Sequence, residues 1–351
     1  MNLWQQYQHN KAQKRGMYFT LEGAADLGVS EGELIADSPD TVYLGTQIAD
    51  ILNKLHNLGR VQCIMRNRIC VHEKQGVYEN LKLWENGGIA LNVGKIDLRL
   101  FLSRWQHAFA VENKDSQGKT TRSVQFYDAA GRAMQKVFLR EEGRENEWHT
   151  LVESFRCDNP PVFQAAETPA AASIEWDGSQ TDAFHTAWQN LKDIHDFGGI
   201  LKNFKLDRRT AYRHAPEGCC RRLDNTVWQN VLEHIQQIGL EIMIFAGNGG
   251  VVQIQTGKVH NVVRARGYLN ILDDKEEGFS MHLKDDEIAE TWVVRRPIQE
   301  GFVTCIEAFD SEGNTAVQIF GRRKEGQTEQ STWISLTDTL FAQGTLPQSE
   351  A

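Results

Sequence analysis

The sequence predicts an α+β fold made by tandem duplication of one unit, each copy holding helices and a large, mostly antiparallel sheet. The two halves are expected to be related by pseudo-twofold symmetry. Three observations lead there. The chain has 351 residues, more than one core of about 150 residues accommodates. Phe126-Tyr127-Asp128-Ala129-Ala130-Gly131 matches Ala308-Phe309-Asp310-Ser311-Glu312-Gly313, and each runs into a strand-like segment, residues 134–138 and 316–320. Strand-rich stretches follow helices without the regular alternation that a doubly wound sheet needs.

The elements follow in order. Residues 27–34 align with residues 204–211, which makes Ser30 and Asp207 the N-caps of equivalent helices. Residues 51–58 before Gly59 and 231–238 before Gly239 are helical patterns ending at a capping glycine. The Asp-x-x-Gly turns at Asp128 and Asp310 join alternating segments, the pattern of a β-hairpin. A helix is expected within the strand-rich part of each half, near residues 102–110 and 284–291. Ala246 to Gly250 reads as a hairpin turn, and no dinucleotide or Walker motif occurs. The Pro- and Ala-rich stretch from Asp158 is aperiodic and reads as a linker. The expected boundaries are residues 1–157, a linker over 158–175, a second repeat over 176–345 and a tail over 346–351. One duplication is no solenoid, which needs about three repeats or more.

Composition narrows the function. With 40% hydrophobic and 24% charged residues the chain is ordinary for a globular protein. No run approaches the roughly 18–20 apolar residues of a membrane span, and the N-terminus is no secretory signal, so a cytoplasmic location is expected. A net charge of -9 argues against nucleic acid. Local basic clusters at Arg208-Arg209, Arg221-Arg222, Arg295-Arg296 and Arg322-Arg323-Lys324 point to a small anionic ligand, although each alone also reads as solvated surface. Cys63, Cys70, Cys157, Cys219, Cys220 and Cys305 form no Cys-x-x-Cys pair, and Cys219-Cys220 reads as two reduced thiols in a loop.

Residues 183–204 carry the sharpest local signal. Wound as one helix, Ala183, Ala187, Ile194, Phe197, Leu201 and Phe204 form a core-facing stripe. Phe184, Trp188, Leu191, His195 and Gly198 form a second apolar face, opposite His185, Gln189, Lys192 and Asp196. Gly198-Gly199 would let a bulky group approach the backbone beside the imidazole. A lone histidine on such a face is commonly a hydrogen-bonded core residue, and otherwise a ligand. Zinc would need partner ligands that are missing nearby, whereas an iron already held by four porphyrin nitrogens needs only one or two axial groups.

The run Asp193-Ile194-His195-Asp196-Phe197-Gly198-Gly199, continuing to Arg208 and Tyr212, resembles the haem-ligand segment of the bacterial hemin-degrading factor or hemin transport protein family, of the HemS and ChuS type. The resemblance spans nearly the whole chain, including Lys95 to Phe101, Ile288 to Pro297 and Gln318 to Arg323. It implies one haem, with His195 as axial iron ligand. It places Arg99 (also the candidate distal catalytic group) and Phe101 on the haem's other side, and Arg208, Arg296, Gln318, Phe320 and Arg323 around the pocket and its propionates. The family commonly has tyrosine at Phe320 and lysine at Arg296. Counting from Ser30 and Asp207, Tyr18 stands where the second half has His195, and it reads as a packed tyrosine.

The same resemblance implies oxidative opening of the porphyrin to a linear tetrapyrrole with release of iron, driven by an external electron donor. The alternative is a non-catalytic carrier or store in iron acquisition, passing haem from an inner-membrane importer to a separate haem oxygenase.

Overall fold

The computed structural model describes residues 1–114, 117–165, 176–272, 278–324 and 326–346. Residues 166–175 of the expected linker and 347–351 of the expected tail lie outside that set. The chain divides into two compact units: Met1–Arg66, His72–Thr168 and Gly247–Gln253 in one, Asn67–Val71, Pro169–Ala246 and Ile254–Ala351 in the other.

The first half runs α1 (Leu3–Gln13), α2 (Thr20–Leu27), α3 (Glu31–Ala36), β1 (Thr41–Gly45), α4 (Ile48–Leu52), β2 (Arg60–Arg66), β3 (Cys70–Val77), β4 (Leu81–Trp84), β5 (Gly87–Ala90), β6 (Asp97–Leu100), β7 (His107–Lys114), β8 (Thr120–Tyr127), β9 (Ala133–Leu139) and α5 (Glu145–Phe155). The second half repeats that order. It runs α6 (Thr181–Gln189), α7 (Phe197–Phe204), α8 (Arg208–Arg213), β10 (Cys220–Leu223), α9 (Val227–Gln237), β11 (Ile242–Gly247), β12 (Val251–Gly257), β13 (Val262–Ala265), β14 (Tyr268–Ile271), β15 (Phe279–Leu283), β16 (Glu290–Ile298), β17 (Gly301–Phe309), β18 (Thr315–Gly321) and α10 (Ser331–Gln343). Helices and strands correspond one to one, so the duplication is visible in the fold.

The sheet order repeats as well: β1-β7-β8-β9-β2 in the first unit and β10-β16-β17-β18-β11 in the second, with antiparallel neighbours. β4-β5-β6 and β13-β14-β15 are equivalent meanders. The expected hairpins are β8-β9 and β17-β18, and their turns are copies. The carboxylate of Asp128 accepts the N–H groups of Ala130 and Arg132, and that of Asp310 accepts those of Glu312 and Asn314. Gly131 and Gly313 complete them at φ 76° and 88°.

Both expected N-caps form. Ser30 Oγ accepts from the Glu33 N–H at 3.2 Å while the Glu33 carboxylate accepts the Ser30 N–H at 2.8 Å, a capping box. The Asp207 carboxylate accepts the Thr210 N–H at 2.9 Å.

Three expected helices are shorter than the sequence suggests. Residues 51–58 hold the end of α4 and a 3-10 turn, Leu55–Leu58. Leu52, Leu55 and Leu58 are all buried, and their spacing of three suits a helix in which such residues eclipse. The inserts near 102–110 and 284–291 are single 3-10 turns, Leu102–Arg104 and Asp285–Glu287, that lead into β7 and β16. Residues 107–111 are buried throughout, and a short apolar run of that kind does not distinguish strand from helix by periodicity.

In the first unit α1, α2 and α3 pack Trp4, Tyr7, Ala24, Leu34 and Ile35 against Phe109, Val111 and Tyr127 of the sheet. In the second, Phe184, Trp188, Leu191, Phe197 and Tyr212 pack against Trp292, Val294, Cys305 and Phe309.

The Gly131 turn leans on the α3 cap, since a Cβ there would stand 2.1 Å from Ser30 Oγ. Gly143 has the same φ of 76° but meets nothing within 4 Å. Gly143→Ala is therefore expected to cost about 1 kcal/mol, for the left-handed backbone alone. Gly131→Ala should cost roughly 3 kcal/mol, with urea unfolding of both variants as the measurement.

Candidate functional site

The single helix expected over residues 183–204 is broken. α6 ends at Gln189, and α7 begins only at Phe197. Between them the Asp193 carboxylate accepts the His195 N–H at 2.8 Å and starts a 3-10 turn, Ile194–Asp196. Asn190 and Asp193 are residues whose side chains compete with helix continuation. The break merges the two expected apolar faces: Phe197 is core, and Ile194, Leu201 and Phe204 pack against it as expected. Phe184, Trp188 and Leu191 are core residues beside Phe197, whereas Ala183 is exposed. His195 leaves their stripe, and its side chain is 85% exposed. Gly198 and Gly199 on the next turn are exposed too, and a Cβ on either meets nothing within 4 Å.

His195 Nδ1 lies 2.6 Å from Asp193 Oδ1. With that nitrogen carrying the proton, Nε2 keeps its lone pair, and Nε2 makes no hydrogen bond among the described residues. The His195 N–H and imidazole, helped by the charge of Arg323, hold the Asp193 carboxyl below the usual carboxylate range.

Behind the turn lies a buried ionic cluster. Glu307, on β17 and fully buried, accepts Tyr212 Oη at 2.6 Å, Gln318 Nε2 at 2.8 Å and Thr315 Oγ1 at 2.6 Å. Arg208 reaches it at 3.3 Å and Arg296 at 3.5 Å. The same two guanidinium groups donate to Tyr212 Oη at 2.9 and 2.7 Å, leaving that hydroxyl's own proton for Glu307. Burial would raise the Glu307 carboxyl, but Arg208 and Arg296 outweigh it and hold it below the ordinary value. Arg296 lies 4.7 Å from the centre of the Phe197 ring and Arg208 5.7 Å from it. The cations thus brace the residue that starts α7, two positions from His195.

Three expected site residues, Arg208, Arg296 and Gln318, therefore meet on a carboxylate that sequence reasoning missed, along with Tyr212, Phe197 and Asp193. A glutamate within the apolar run Val303–Phe309 was the available signal. Arg296 is only 3% exposed; its Nη2 donates to Tyr212 and to Cys305 Sγ at 3.6 Å beside Glu307, while its buried Nε has no hydrogen-bond partner among the described residues. The Arg208 side chain keeps 35% of its surface exposed. Phe320 on β18 is buried edge-on to Phe245, ring centres 5.1 Å apart. Arg323 donates to the Gln327 carbonyl at 3.0 Å.

Arg99 and Phe101 belong to the first unit. Arg99, on β6, pairs with buried Asp97 at 2.5 Å, and Phe101 just beyond the strand is 45% exposed. Tyr18 is buried, stacked on Tyr7, and donates to Asp26 at 2.9 Å. All six cysteines are free thiols. Cys220 opens β10 instead of sitting in a loop, and burial raises both its thiol and that of Cys219.

The duplication supplies an internal control. Counting from the two N-caps and the two hairpin turns, Arg208, Glu307 and Gln318 correspond to Glu31, Gln125 and Lys136. In the first unit the buried Glu31 carboxylate takes Lys136 Nζ at 2.5 Å and the Thr20 hydroxyl. The position of an arginine in one half is thus held by a carboxylate in the other.

The haemin-degrading HemS.ChuX domain model matches residues 28–155 and 205–340, once in each half. The chain is 35% identical over 336 residues to the hemin transport protein HmuS of Yersinia pestis, covering 95% of each. Its fold is similar to the crystal structure of holo-PhuS, a heme-binding protein from Pseudomonas aeruginosa, with TM-score 0.89, 37% identity and coverage of 96% and 97%. It is similar also to the heme degrading enzyme ChuS of Escherichia coli O157:H7, with TM-score 0.87, 32% identity and 99% coverage of both.

Removing Glu307 leaves Arg296 buried without a counter-charge, so Glu307→Ala is expected to cost about 3–5 kcal/mol in urea unfolding. The depressed carboxyl stabilises the fold above its unfolded value of about 4.3, and that contribution is lost as pH falls through the folded value. Glu307→Gln should flatten the loss of stability below about pH 4 relative to the unmodified protein.

Proposed function

This chain belongs to the haemin-degrading HemS/ChuX family, and on that premise we propose that it binds one haem through His195 and opens the ring oxidatively, releasing iron. The observation that supports this most directly is His195 itself: an exposed imidazole with Nδ1 committed to Asp193, on a turn followed by two exposed glycines with open space around them. A carboxylate-oriented imidazole is the usual form of a histidine metal ligand. Haem is also the iron form that a lone histidine suits, since the porphyrin supplies four of the ligands.

A haem carries a large apolar disc and two carboxylates. Two arginines against one glutamate leave the buried cluster with a surplus positive charge, and Arg208 is its partly exposed member. With Arg323 it offers planar, permanently charged donors suited to propionates. Arg296 acts from beneath, by holding Phe197. For a single site per chain, support comes from the first unit, where Glu31, paired with Lys136, occupies the place of Arg208 and brings no guanidinium to a propionate. For Arg99 as a distal group, support comes from the family resemblance alone.

When bound, haem supplies the redox chemistry, with O2 and electrons from an external reductase or small reductant. The protein's share is to orient the disc, hold the Nδ1 proton on His195 and keep propionates at the cationic edge. A second reading, delivery of intact haem from a membrane importer to a separate oxygenase, has support in the HmuS relative's description as a transport protein. No described helix is long and apolar enough to cross a membrane.

Hemin titration followed at the Soret band should saturate at one equivalent, and His195→Ala should weaken binding at least tenfold and move the band. Ascorbate under air with catalase should then bleach the Soret band of the loaded protein. A band that persists, with transfer to an added haem oxygenase, would select the carrier instead.

A further inference from the structure

We propose that Asp193 is a positioning residue that fixes the tautomer of His195 and sets the donor strength of its Nε2 toward haem iron; this rests on the reading of His195 as the axial ligand. One oxygen does two jobs. Asp193 Oδ1 accepts the backbone N–H of His195 at 2.8 Å and its Nδ1–H at 2.6 Å. The imidazole is therefore tied to the backbone of its own turn, and its ring plane is held relative to the start of α7. Asp193 is extended, at φ -136° and ψ 133°, so the carboxylate folds back over the turn it caps.

The charge matters beyond the geometry. A carboxylate that accepts the Nδ1 proton gives the ring partial imidazolate character and makes Nε2 a stronger donor, which favours ferric over ferrous iron. His195 and Asp193 side chains are 85% and 56% exposed, so in water this hydrogen bond is screened. A porphyrin disc lying over Nε2 would exclude water from one side of the pair and strengthen the bond. The tuning thus becomes effective on loading.

The test compares Asp193→Asn, Asp193→Glu and His195→Ala in the hemin-loaded full chain. Asp193→Asn keeps an acceptor oxygen but removes the charge. It is expected to retain a histidine-ligated Soret spectrum, with affinity down about 10–100-fold. Its ferric/ferrous midpoint potential should rise, and the ferrous Fe–His stretching frequency in resonance Raman should fall. Asp193→Glu should recover part of both shifts. If Asp193→Asn leaves potential and stretch unchanged while His195→Ala abolishes histidine ligation, the role of Asp193 is overturned and the axial ligand stands. If His195→Ala itself keeps the parent spectrum and Fe–His stretch, the reading beneath both fails.

Discussion

Glu307 has been taken out of water on β17, an interior strand of its sheet, and much of the second half is arranged around that fact. An isolated carboxylate there would cost several kcal/mol, so it has to be met by donors from every side. β18 sends Thr315 and Gln318, α8 sends Arg208 and Tyr212, and β16 sends Arg296. Because the two arginines also lie against Phe197, the same constraint reaches α7 and the turn that carries His195. A network of this kind stabilises little compared with an apolar core, but it admits few alternative packings. Its contribution is to hold the helix starts where they are.

The two halves show what a duplicated scaffold keeps and what it releases. Turn carboxylates, N-caps and strand order are preserved almost residue for residue, since each satisfies backbone groups that any copy of the fold must satisfy. The polar residues behind the sheet are not preserved. Glu31 with Lys136 in one half is a neutralised pair, whereas Glu307 in the other meets both Arg208 and Arg296. Either arrangement satisfies the interior, so the fold alone does not choose between them.

How much was legible in the sequence follows the same division. The hairpins and caps were readable because Asp128, Gly131, Ser30 and Asp207 act on neighbours within a few residues. The break before His195 was not, since residues 183–204 carry a helical pattern and only the capping by Asp193 interrupts it. That error had a consequence: Phe184, Trp188 and Leu191 are core residues, and His195 projects away from them. Glu307 escaped for a different reason. A strand residue's partners lie on other elements, and nothing local tells that Tyr212, Arg208 and Gln318 converge there. The family resemblance did identify arginines of that neighbourhood, without the carboxylate that joins them.

The turn that bears His195 is three residues long, and none of the three is buried. On the proposed reading of His195, chemistry and foldability are written in different residues, a few positions apart. Under mutational drift such a segment is nearly silent to selection on stability, so one copy of a duplicated gene is free to lose or gain a ligand there while its core stays intact. Phe197 and Trp188 are not free in this way. Divergence of function within this architecture is then expected to begin at the short exposed turns, with the buried ionic pairs changing afterwards and in concert.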